Sequence, residues 1–376
     1  MNIVLTRLQN IGDMLNFIPA LRTLRQALPD ARLIVLAKHA GGLEILKNCP
    51  YCDKVVTAPK SGAILDKFRM RRELREFGAI DYFVISPQDT GRVPWALFCG
   101  AKHISAYPAF VNYGELRREK MTSFIDLPCV YDQSLTEIEN CLRPVLNVLE
   151  HLNVPLPKDH SLALEYSWYG ADDKAEAKRI LRSYGLEDGE DYMVMAPISK
   201  RSAKNWPSQR LVRLLRAMGE EWGVKIFLLG GKAEKEELDA LAGEAESAVS
   251  LAGKTSLAQT AAIMAKSVFF FGVDSGPAFL AAAQGVPSVV LYGPADFYRW
   301  RPPVVTSPRL NLFKPFPCSP CREQVCPRNN ACLAAIGYDE VWQACKRFYH
   351  PEKAEEKTEE NPAASETGIK DKQSDD

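Results

Sequence analysis

Short apolar runs alternate with longer amphipathic stretches along the first half of the chain. The apolar runs predict strands, because segments such as IVLT and LIVLA are hydrophobic on both faces of an extended backbone. The predicted strands of this half cover residues 2–6, 31–37, 54–58, 80–86 and 102–107. The predicted helices cover residues 14–28, 42–48, 63–77, 92–100 and 136–152. Repeated strand–helix units of this kind predict a parallel sheet with helices on both faces.

The same alternation restarts in the second half of the chain. Between the halves lies NVPLPKDHS, residues 153–161, a polar segment with prolines that is typical of an interdomain linker. The predicted strands of the second half cover residues 192–196, 225–229, 249–251, 268–273 and 288–292. The predicted helices cover residues 173–184, 208–222, 233–243, 257–266 and 276–284. Two α/β halves predict a cleft between them, with ligands at the carboxyl ends of the strands.

Four segments make up the predicted domain organisation. Residues 1–152 form a first Rossmann-like domain, residues 153–161 the linker, and residues 162–350 a second Rossmann-like domain that ends in a cysteine-rich segment and a final helix. Residues 351–376 have one isoleucine as their only sizeable apolar side chain, with nine acidic and four basic residues. Such a segment buries too little surface to offset the entropy of ordering, so we expect a disordered acidic tail.

The charge balance narrows the choice of partners. The 376 residues include 47 Lys and Arg and 47 Asp and Glu, a net charge of zero that disfavours nucleic acid as a partner. The predicted tail carries −5, which leaves about +5 on the predicted folded body. No apolar run approaches the ~20 residues that span a bilayer, and the start, MNIVLTRLQNIGD, lacks a secretory pattern. We therefore expect a cytoplasmic protein whose ten cysteines are thiols or metal ligands rather than disulfides.

The loop after the first predicted strand, RLQNIGDML, holds the first candidate for chemistry. Gly12 permits a tight backbone, and Asp13 stands at the start of the next predicted helix. Asp13 is either a helix-capping residue, with a stabilising effect of ~1 kcal/mol, or a carboxylate at the mouth of the cleft that serves as a general base. The residues themselves leave both interpretations open.

A basic loop, SKRSAKNWP at residues 199–207, follows the first predicted strand of the second half. The hydroxyls of Ser199 and Ser202 accompany four cations in or next to this loop: Lys200, Arg201, Lys204 and Arg210. A charge run of this kind is either a solvated surface loop or a cradle for phosphate, in which a lysine acts as a point charge.

The segment GVDSGPAFLAAAQGVPSVVLYGPAD, residues 272–296, predicts a strand that turns tightly into a helix. Asp274 and Ser275 can cap this helix, and Gly276 leaves backbone N–H groups uncovered. Such a helix start is either an ordinary N-cap or an anion site that suits a diphosphate. Gly230, in the Gly-Gly pair after KIFLL, is a weaker signal. No GxGxxG fingerprint or Walker loop occurs in the sequence, which argues against a dehydrogenase and a P-loop NTPase.

Four cysteines in CSPCREQVCPRNNACL have spacings compatible with a small structural zinc site. They are Cys318, Cys321, Cys326 and Cys332. The alternatives are closely packed reduced thiols or a disulfide in the isolated protein. Cys49 and Cys52 form another CxxC, but they precede a strand rather than start a helix, which is not the redox-active arrangement.

A basic cluster with interleaved apolar residues lies in and just before the third predicted helix: Lys60, Lys67, Arg69, Arg71, Arg72 and Arg75. A second basic group follows further along the chain: Arg117, Arg118 and Lys120. Each group is either a solvated face or a contact for an anionic acceptor or an anionic membrane surface, where each cation contributes ~1 kcal/mol.

Together these motifs resemble the lipopolysaccharide heptosyltransferases, glycosyltransferase family nine. The resemblance covers most of residues 2–345 and rests on IGDMLNFIPALRTLRQALPDARL, on KNWPSQRL and on LAGKTSLAQTAAIMAKSVFFFGVDSGPAFLAAAQGVPSVVLYGPAD. The CxxC…C…CL ending is also frequent in that family. The resemblance implies a GT-B fold, in which two Rossmann-like parallel-sheet domains face each other across a cleft. It also implies the inverting transfer of heptose from ADP-heptose to a lipopolysaccharide inner-core sugar, at the inner face of the inner membrane.

Carried over by position, the resemblance gives roles to single residues. Asp13 looks like the base that deprotonates the acceptor hydroxyl, and Lys204 looks like the group that neutralises the leaving diphosphate. The implied donor-binding positions are Ser199, Gly230, Glu234, Thr255, Asp274, Ser275, Gly276 and Pro277. The acceptor, a lipid A–core molecule, is expected on the first domain, with an anionic-binding surface at Arg71, Arg72, Arg75, Arg117, Arg118 and Lys120.

Two departures from the family pattern concern the donor sugar and the acceptor. Many family members have His at the position of Phe279, and FYRW follows GPAD where they usually continue with Pro. A helix start with a lysine can stabilise a diphosphate without a metal, and no DxD-like pair stands out, so no catalytic cation is expected. The competing hypotheses are a nucleotide-sugar epimerase of the same fold, a transferase for another nucleotide sugar, and a binding module in which the cysteines hold a metal.

Overall fold

The computed structural model describes residues 1–59, 64–89, 91–112, 115–119, 121–303 and 307–349. Lys60, Lys120 and the predicted tail, 351–376, lie outside the described residues. No helix in the described ranges combines the length and the apolar character needed to cross a bilayer.

The first half of the chain forms a six-stranded parallel sheet in the order β3-β2-β1-β4-β5-β8. Its elements are β1 (Asn2–Thr6), α1 (Ile11–Ala27), β2 (Arg32–Ala37), α2 (Ala40–Leu46), β3 (Lys54–Thr57), α3 (Ile64–Arg75), β4 (Tyr82–Ile85), α4 (Val93–Cys99), β5 (His103–Ala106), β6 (Ala109–Asn112), β7 (Glu115–Arg118), β8 (Leu127–Pro128) and α5 (Glu137–His151). In the centre, Ile3 of β1 pairs with Leu33 of β2 and Tyr82 of β4. Strands β6 and β7 form a separate antiparallel hairpin.

The second half forms another six-stranded parallel sheet, in the order β11-β10-β9-β12-β13-β14. Its elements are α6 (Ala171–Ser183), β9 (Tyr192–Ala196), α7 (Ser208–Trp222), β10 (Lys225–Leu228), α8 (Lys235–Ala242), β11 (Ala248–Ser250), α9 (Leu257–Met264), β12 (Phe269–Val273), α10 (Gly276–Ala283), β13 (Ser288–Tyr292), α11 (Phe297–Trp300), β14 (Arg309–Phe313), α12 (Ala331–Ala334) and α13 (Tyr338–Tyr349). The residues of β9, β12 and β13 are buried throughout, as their apolar sequences predict.

Each sheet has the strand order 3-2-1-4-5-6 of a Rossmann fold when its own strands are numbered along the chain. In this order the chain changes direction between the first and fourth strands, and the crevice at their carboxyl ends is the usual place for a ligand. Strands β1 and β4 flank this switch point in the first sheet, and β9 and β12 flank it in the second. The predicted fold class, two Rossmann-like parallel sheets, is confirmed.

The sequence pattern located the interior strands of both sheets but missed β8 and β14. Strand β8 has two residues, which is too short for any periodicity, and every residue of β14 is only half-buried. Helix α1 begins at Ile11 rather than at the predicted residue 14. Asn10 is its N-cap, and the carboxylate of Asp13 accepts the backbone N–H of Asn10 at 3.0 Å.

Helices α1 and α10 pack against each other and join the two halves of the chain. A Cβ added to Gly12 would stand 2.8 Å from Cδ2 of the Phe279 ring, so a glycine is needed for this close approach. A Cβ added to Gly276 would lie 3.5 Å from Cβ of Ile11 and 3.9 Å from the backbone nitrogen of Gly12. The helix starts that follow β1 and β12 therefore adjoin, and the switch points of the two sheets open onto the same region.

Candidate active site

An ion pair joins the loops that follow β9 and β12. Lys204, in a 3₁₀ turn over Ser202–Lys204, donates from Nζ to Oδ2 of Asp274 at 2.7 Å and to the Asp274 carbonyl at 2.8 Å. The carboxylate side chain is 5% exposed and the lysine side chain 19%. The pair therefore fixes the ammonium group beside the start of α10, at the switch point of the second sheet.

The start of α10 has unsatisfied polar groups. Ser275 is the N-cap residue, but its side chain makes no capping hydrogen bond. Its Oγ is buried and has no hydrogen-bond partner among the described residues. The first N–H groups of a helix also lack partners within the helix, and Pro277 removes one of them. A hydroxyl beside uncapped N–H groups is an arrangement that a bound anion can satisfy.

Ser199 lies in the same basic loop as Lys204, and its polar groups hold the loop in shape. Its backbone N–H donates to Oδ1 of Asn205 at 2.8 Å, and its Oγ accepts the backbone N–H of Arg201 at 3.3 Å. The hydroxyl therefore stands next to the turn that carries Lys204.

The other predicted donor residues lie further along the carboxyl edge of the second sheet. Gly230 follows β10, and a Cβ there would stand 2.3 Å from Cδ1 of Leu238, so α8 packs directly on the backbone. The carboxylate of Glu234 accepts the backbone N–H three residues before it at 2.7 Å. Oγ1 of Thr255 is 2.8 Å from Oγ1 of Thr260. Glu234 is thus bonded within its own turn, and Thr255 is bonded to helix α9.

Asp13 lies in the first turn of α1, at the switch point of the first sheet. One carboxylate oxygen, Oδ2, closes the capping box with Asn10, and the other, Oδ1, lies 3.1 Å from Nη2 of Arg7. Nε of Arg7 also donates to the Asp13 carbonyl at 2.9 Å. The arginine side chain is fully buried, whereas the Asp13 side chain is 11% exposed. The capping interpretation is therefore correct, and it leaves room for a chemical role.

The surroundings of Asp13 adjust its basicity. Burial raises the pKa of Asp13 above its ordinary value, although the positive charge of Arg7 opposes this shift. A carboxylate with a raised pKa binds a proton more strongly than an exposed aspartate once it is ionised. This property suits a general base.

Two charged residues to which no sequence motif points complete this group. Oε1 of Glu137 lies 3.1 Å from Nη2 of Arg7, and Oε2 of Glu137 lies 2.8 Å from Nη2 of Arg299. Glu137 begins α5, where an acidic residue is expected simply because it complements the helix dipole. Arg299 lies in a helix of four residues, 162 positions further along the chain. No spacing in the sequence pairs the two.

The cysteine-rich segment packs against the basic loop and the turn after β13. The backbone N–H of Cys321 donates to the Pro294 carbonyl at 2.8 Å. Nδ2 of Asn330 donates to the carbonyls of Ser202 and Asn205 at 2.7 and 2.8 Å. The segment therefore supports the loop that carries Lys204.

The four cysteines of this segment are free thiols. Burial raises the pKa of Cys332, and the neighbouring thiols raise it further; they belong to Cys318, Cys321 and Cys326. Within the described ranges, no three His, Cys, Asp or Glu side chains are placed to hold a metal ion. As placed, the thiols do not fit a metal centre, and structural zinc stays a prediction.

The predicted anionic-binding surface divides between α3 and the β6–β7 hairpin. The exposed cations are Arg72 and Arg75 on α3, and Arg117 and Arg118 on β7. Arg71 is half-buried, with its guanidinium carbon 4.8 Å from the ring centre of Phe98. This stacking gives Arg71 a packing role on α3.

One face of α3 changes from apolar to basic along the helix. Ile64, Phe68, Arg72 and Arg75 follow one another at helical spacings of four, four and three residues. Ile64 is 65% exposed, Phe68 54%, and the adjacent Leu65 84%. The start of α3 is therefore an exposed apolar end next to exposed cations.

Residues 148–332 match glycosyltransferase family 9 (heptosyltransferase). The chain is 27% identical over 304 residues to lipopolysaccharide heptosyltransferase 3 of Escherichia coli (strain K12), which covers 77% of this chain and 82% of that relative. The structure is similar to E. coli ADP-heptose LPS heptosyltransferase II, with a TM-score of 0.72 and 19% identity over 94% of this chain and 100% of that one. It is also similar to E. coli heptosyltransferase WaaC with ADP-2-deoxy-2-fluoro heptose, with a TM-score of 0.65 and 18% identity over 92% of this chain and 99% of that one. At these identities the structural likenesses establish a shared GT-B fold.

Proposed function

We propose that this member of glycosyltransferase family 9, the heptosyltransferases, moves a heptose from ADP-heptose to an inner-core sugar of lipopolysaccharide. Family membership supports the transfer of a heptosyl group. The similar fold of a heptosyltransferase that holds an ADP-heptose analogue supports the choice of donor.

The observation that carries the proposal is the contact between the starts of α1 and α10. Asp13 stands in the first turn of α1, and the Lys204–Asp274 pair stands at the start of α10. A Cβ at Gly276 would lie 3.5 Å from Cβ of Ile11, so the two helix starts are within van der Waals reach of each other. In this proposal, a base from one sheet and an anion-binding helix start from the other therefore lie next to each other.

The second sheet binds the donor in this proposal. The unsatisfied hydroxyl of Ser275 and the first N–H groups of α10 accept the diphosphate, with Lys204 beside them. Negative charge grows on the diphosphate as its bond to the anomeric carbon breaks. Fixed donors aimed at that charge stabilise the transition state more than the ground state.

Asp13 takes the proton of the acceptor hydroxyl. The hydroxyl oxygen forms the new bond to the anomeric carbon from the side opposite the diphosphate, so the configuration inverts as ADP leaves. The proton moves to the Asp13 carboxylate, which Arg7 and the Asn10 N–H hold in one orientation. A carboxylate held in this way has already lost the entropy that a free carboxylate would lose in the reaction.

In this proposal, the first half of the chain binds the acceptor and the membrane. The exposed Arg72 and Arg75 suit the phosphates and carboxylates of a lipid A–core acceptor. The exposed apolar residues Ile64, Leu65 and Phe68 suit peripheral insertion into the interface of the same anionic membrane.

Incubation with ADP-heptose, with and without a heptose-deficient lipid A–core acceptor, tests the proposal. We expect ADP release and a heptose-extended acceptor only when both substrates are present. Conversion of the nucleotide sugar without acceptor would instead identify an epimerase. Transfer from a different nucleotide sugar, with ADP-heptose inert, would contradict the proposed donor.

A further inference from the structure

Glu137 is a buried carboxylate held by two arginines from distant parts of the chain. Its side chain is 1% exposed. Oε1 accepts from Nη2 of Arg7 at 3.1 Å and from Nε2 of Gln88 at 2.8 Å. Oε2 accepts from Nε of Arg299 at 2.9 Å. Both oxygens of this carboxylate are bonded inside the protein, so the fold determines its partners.

The two arginines come from the two different sheets. Arg7 directly follows β1, the central strand of the first sheet. Arg299 lies in α11, the connection between β13 and β14 of the second sheet. Its helix start is capped by Asp296, whose Oδ1 accepts the Arg299 N–H at 3.2 Å. Glu137 therefore ties the second sheet to the residue that touches Asp13.

One guanidinium nitrogen of Arg7 contacts two carboxylates. Nη2 lies 3.1 Å from Oδ1 of Asp13 and 3.1 Å from Oε1 of Glu137. With all four groups ionised, two arginines balance two carboxylates in a buried space. Removing one charge from such a group changes the field at every other member, because little water is present to screen it.

The charged and titratable groups around Asp13 act on it in opposite directions. Burial raises the pKa of Asp13, Arg7 and Arg299 lower it, and Glu137 raises it. Burial alone would raise the pKa of Glu137 itself, but Arg299 and Arg7 hold it below the ordinary value. Further titratable groups face this cluster without touching Asp13. They are the Cys141 thiol on α5, the Asp89 carboxylate in the loop after β4, and the hydroxyls of Tyr107 and Tyr131.

We propose that Glu137 is a positioning residue that holds Arg7 against Asp13 and links the base to the second sheet through Arg299. The inference rests on the proposed role of Asp13 as the general base. Glu137 takes up part of the Arg7 charge, so the Asp13 carboxylate stays oriented while keeping the basicity that proton transfer needs.

Replacing Glu137 and Arg299 separately tests this inference, because the two changes have opposite electrostatic effects. Glu137→Gln removes a negative charge, so the acid limb of the kcat/KM profile moves to lower pH. Arg299→Gln removes a positive charge, so the same limb moves to higher pH. In Glu137→Gln we expect kcat to fall on the order of 10²-fold, as for a ~1 Å misplacement of a catalytic group. ADP affinity should stay unchanged.

Two further variants separate positioning from simple structural damage. Glu139→Gln lies on the same helix turn and keeps the capping hydrogen bond to Thr136, so its profile should match that of the wild type. Glu137→Asp keeps the charge and should restore the wild-type position of the acid limb with part of the turnover. An acid limb that stays fixed in folded Glu137→Gln and Arg299→Gln would overturn the inference.

A titration of the aspartate carboxyl signals by ¹³C NMR gives a readout that needs no turnover. The Asp13 signal is identified by its loss in Asp13→Asn. A lower midpoint in Glu137→Gln and a higher one in Arg299→Gln support the coupling, and unchanged midpoints contradict it. If wild-type protein transfers no heptose, the proposed function fails, and the carboxyl midpoints still decide whether Glu137 controls Asp13.

Discussion

Lys204 and Asp274 form an ion pair 2.7 Å long that fastens the loop after β9 to the start of α10. The same ammonium also binds the Asp274 carbonyl, so a single side chain spans the crevice of the second sheet. In the proposed reaction the diphosphate of the donor meets this ammonium at the helix start. The ion pair keeps the lysine in place before the donor arrives.

Lys204→Ala is expected to weaken donor binding and turnover together. A hydrogen bond to a charged group contributes about 1.5–3 kcal/mol, which corresponds to a loss of roughly 10- to 100-fold in ADP affinity. Calorimetric titration with ADP measures this loss. Lys200→Ala is the matched control, because Lys200 is an exposed lysine of the same loop. Equal ADP affinity in the two variants would show that Lys204 belongs to a solvated surface loop.

Gly12→Ala is expected to destabilise the protein and to slow the reaction. The new methyl group would stand 2.8 Å from the Phe279 ring, and overpacking of this kind costs about 1–3 kcal/mol. The thermal midpoint of unfolding should therefore fall. The double variant Gly12→Ala/Phe279→Ala removes the ring and should recover part of the loss in turnover. A Gly12→Ala protein with wild-type stability would show that α1 and α10 do not pack this closely.

Arg72→Glu/Arg75→Glu is expected to raise the KM for the acceptor while the KM for the donor barely moves. Both side chains are exposed on α3, in the half of the chain that does not contain the proposed donor residues. The effect should weaken above physiological salt, where charges are screened within about 8 Å. Lys266→Glu/Arg347→Glu reverses two exposed cations of the second half and is the control. Equal acceptor KM values in both double variants at low salt would rule out this face of α3.

The sequence predicted the architecture well because interior parallel strands are apolar on both faces. Runs such as FFFGV in β12 and SVVLY in β13 have that character. The edge strands β8 and β14 were not predicted, because β8 is short and β14 is only half-buried. The four residues of α11 are likewise too few to show a helical period.

The candidate site was predictable only where it depends on local chain geometry. A loop after a parallel strand must open at the carboxyl edge, so Asp13 and Lys204 were placed there by position alone. The contacts of Glu137 with Arg7 and Arg299 depend on how distant elements pack, and no local pattern encodes them. The same holds for Asn330, whose amide supports the basic loop across more than 100 residues.

The pH dependence of the reaction should reflect the environment of Asp13. Burial raises its pKa, so the carboxylate becomes protonated at a higher pH than an exposed aspartate does. A protonated Asp13 cannot accept the acceptor's proton, so kcat/KM should fall as the pH drops through this raised pKa. A profile measured between pH 4 and 8 checks this. An acid limb at or below the range of an ordinary aspartate would contradict the raised pKa.

A comparison of turnover in Asp13→Asn and Asp173→Asn tests most directly whether Asp13 is the general base. Both aspartates accept the N-cap backbone N–H of their helix at 3.0 Å, and asparagine can keep that bond in each. If Asp13 is the general base, Asp13→Asn loses about 10²- to 10⁴-fold in kcat, the usual contribution of such a group, with ADP affinity retained. Asp173→Asn should react at the wild-type rate. An Asp13→Asn enzyme that transfers heptose as fast as its Asp173→Asn control would show that Asp13 only caps its helix.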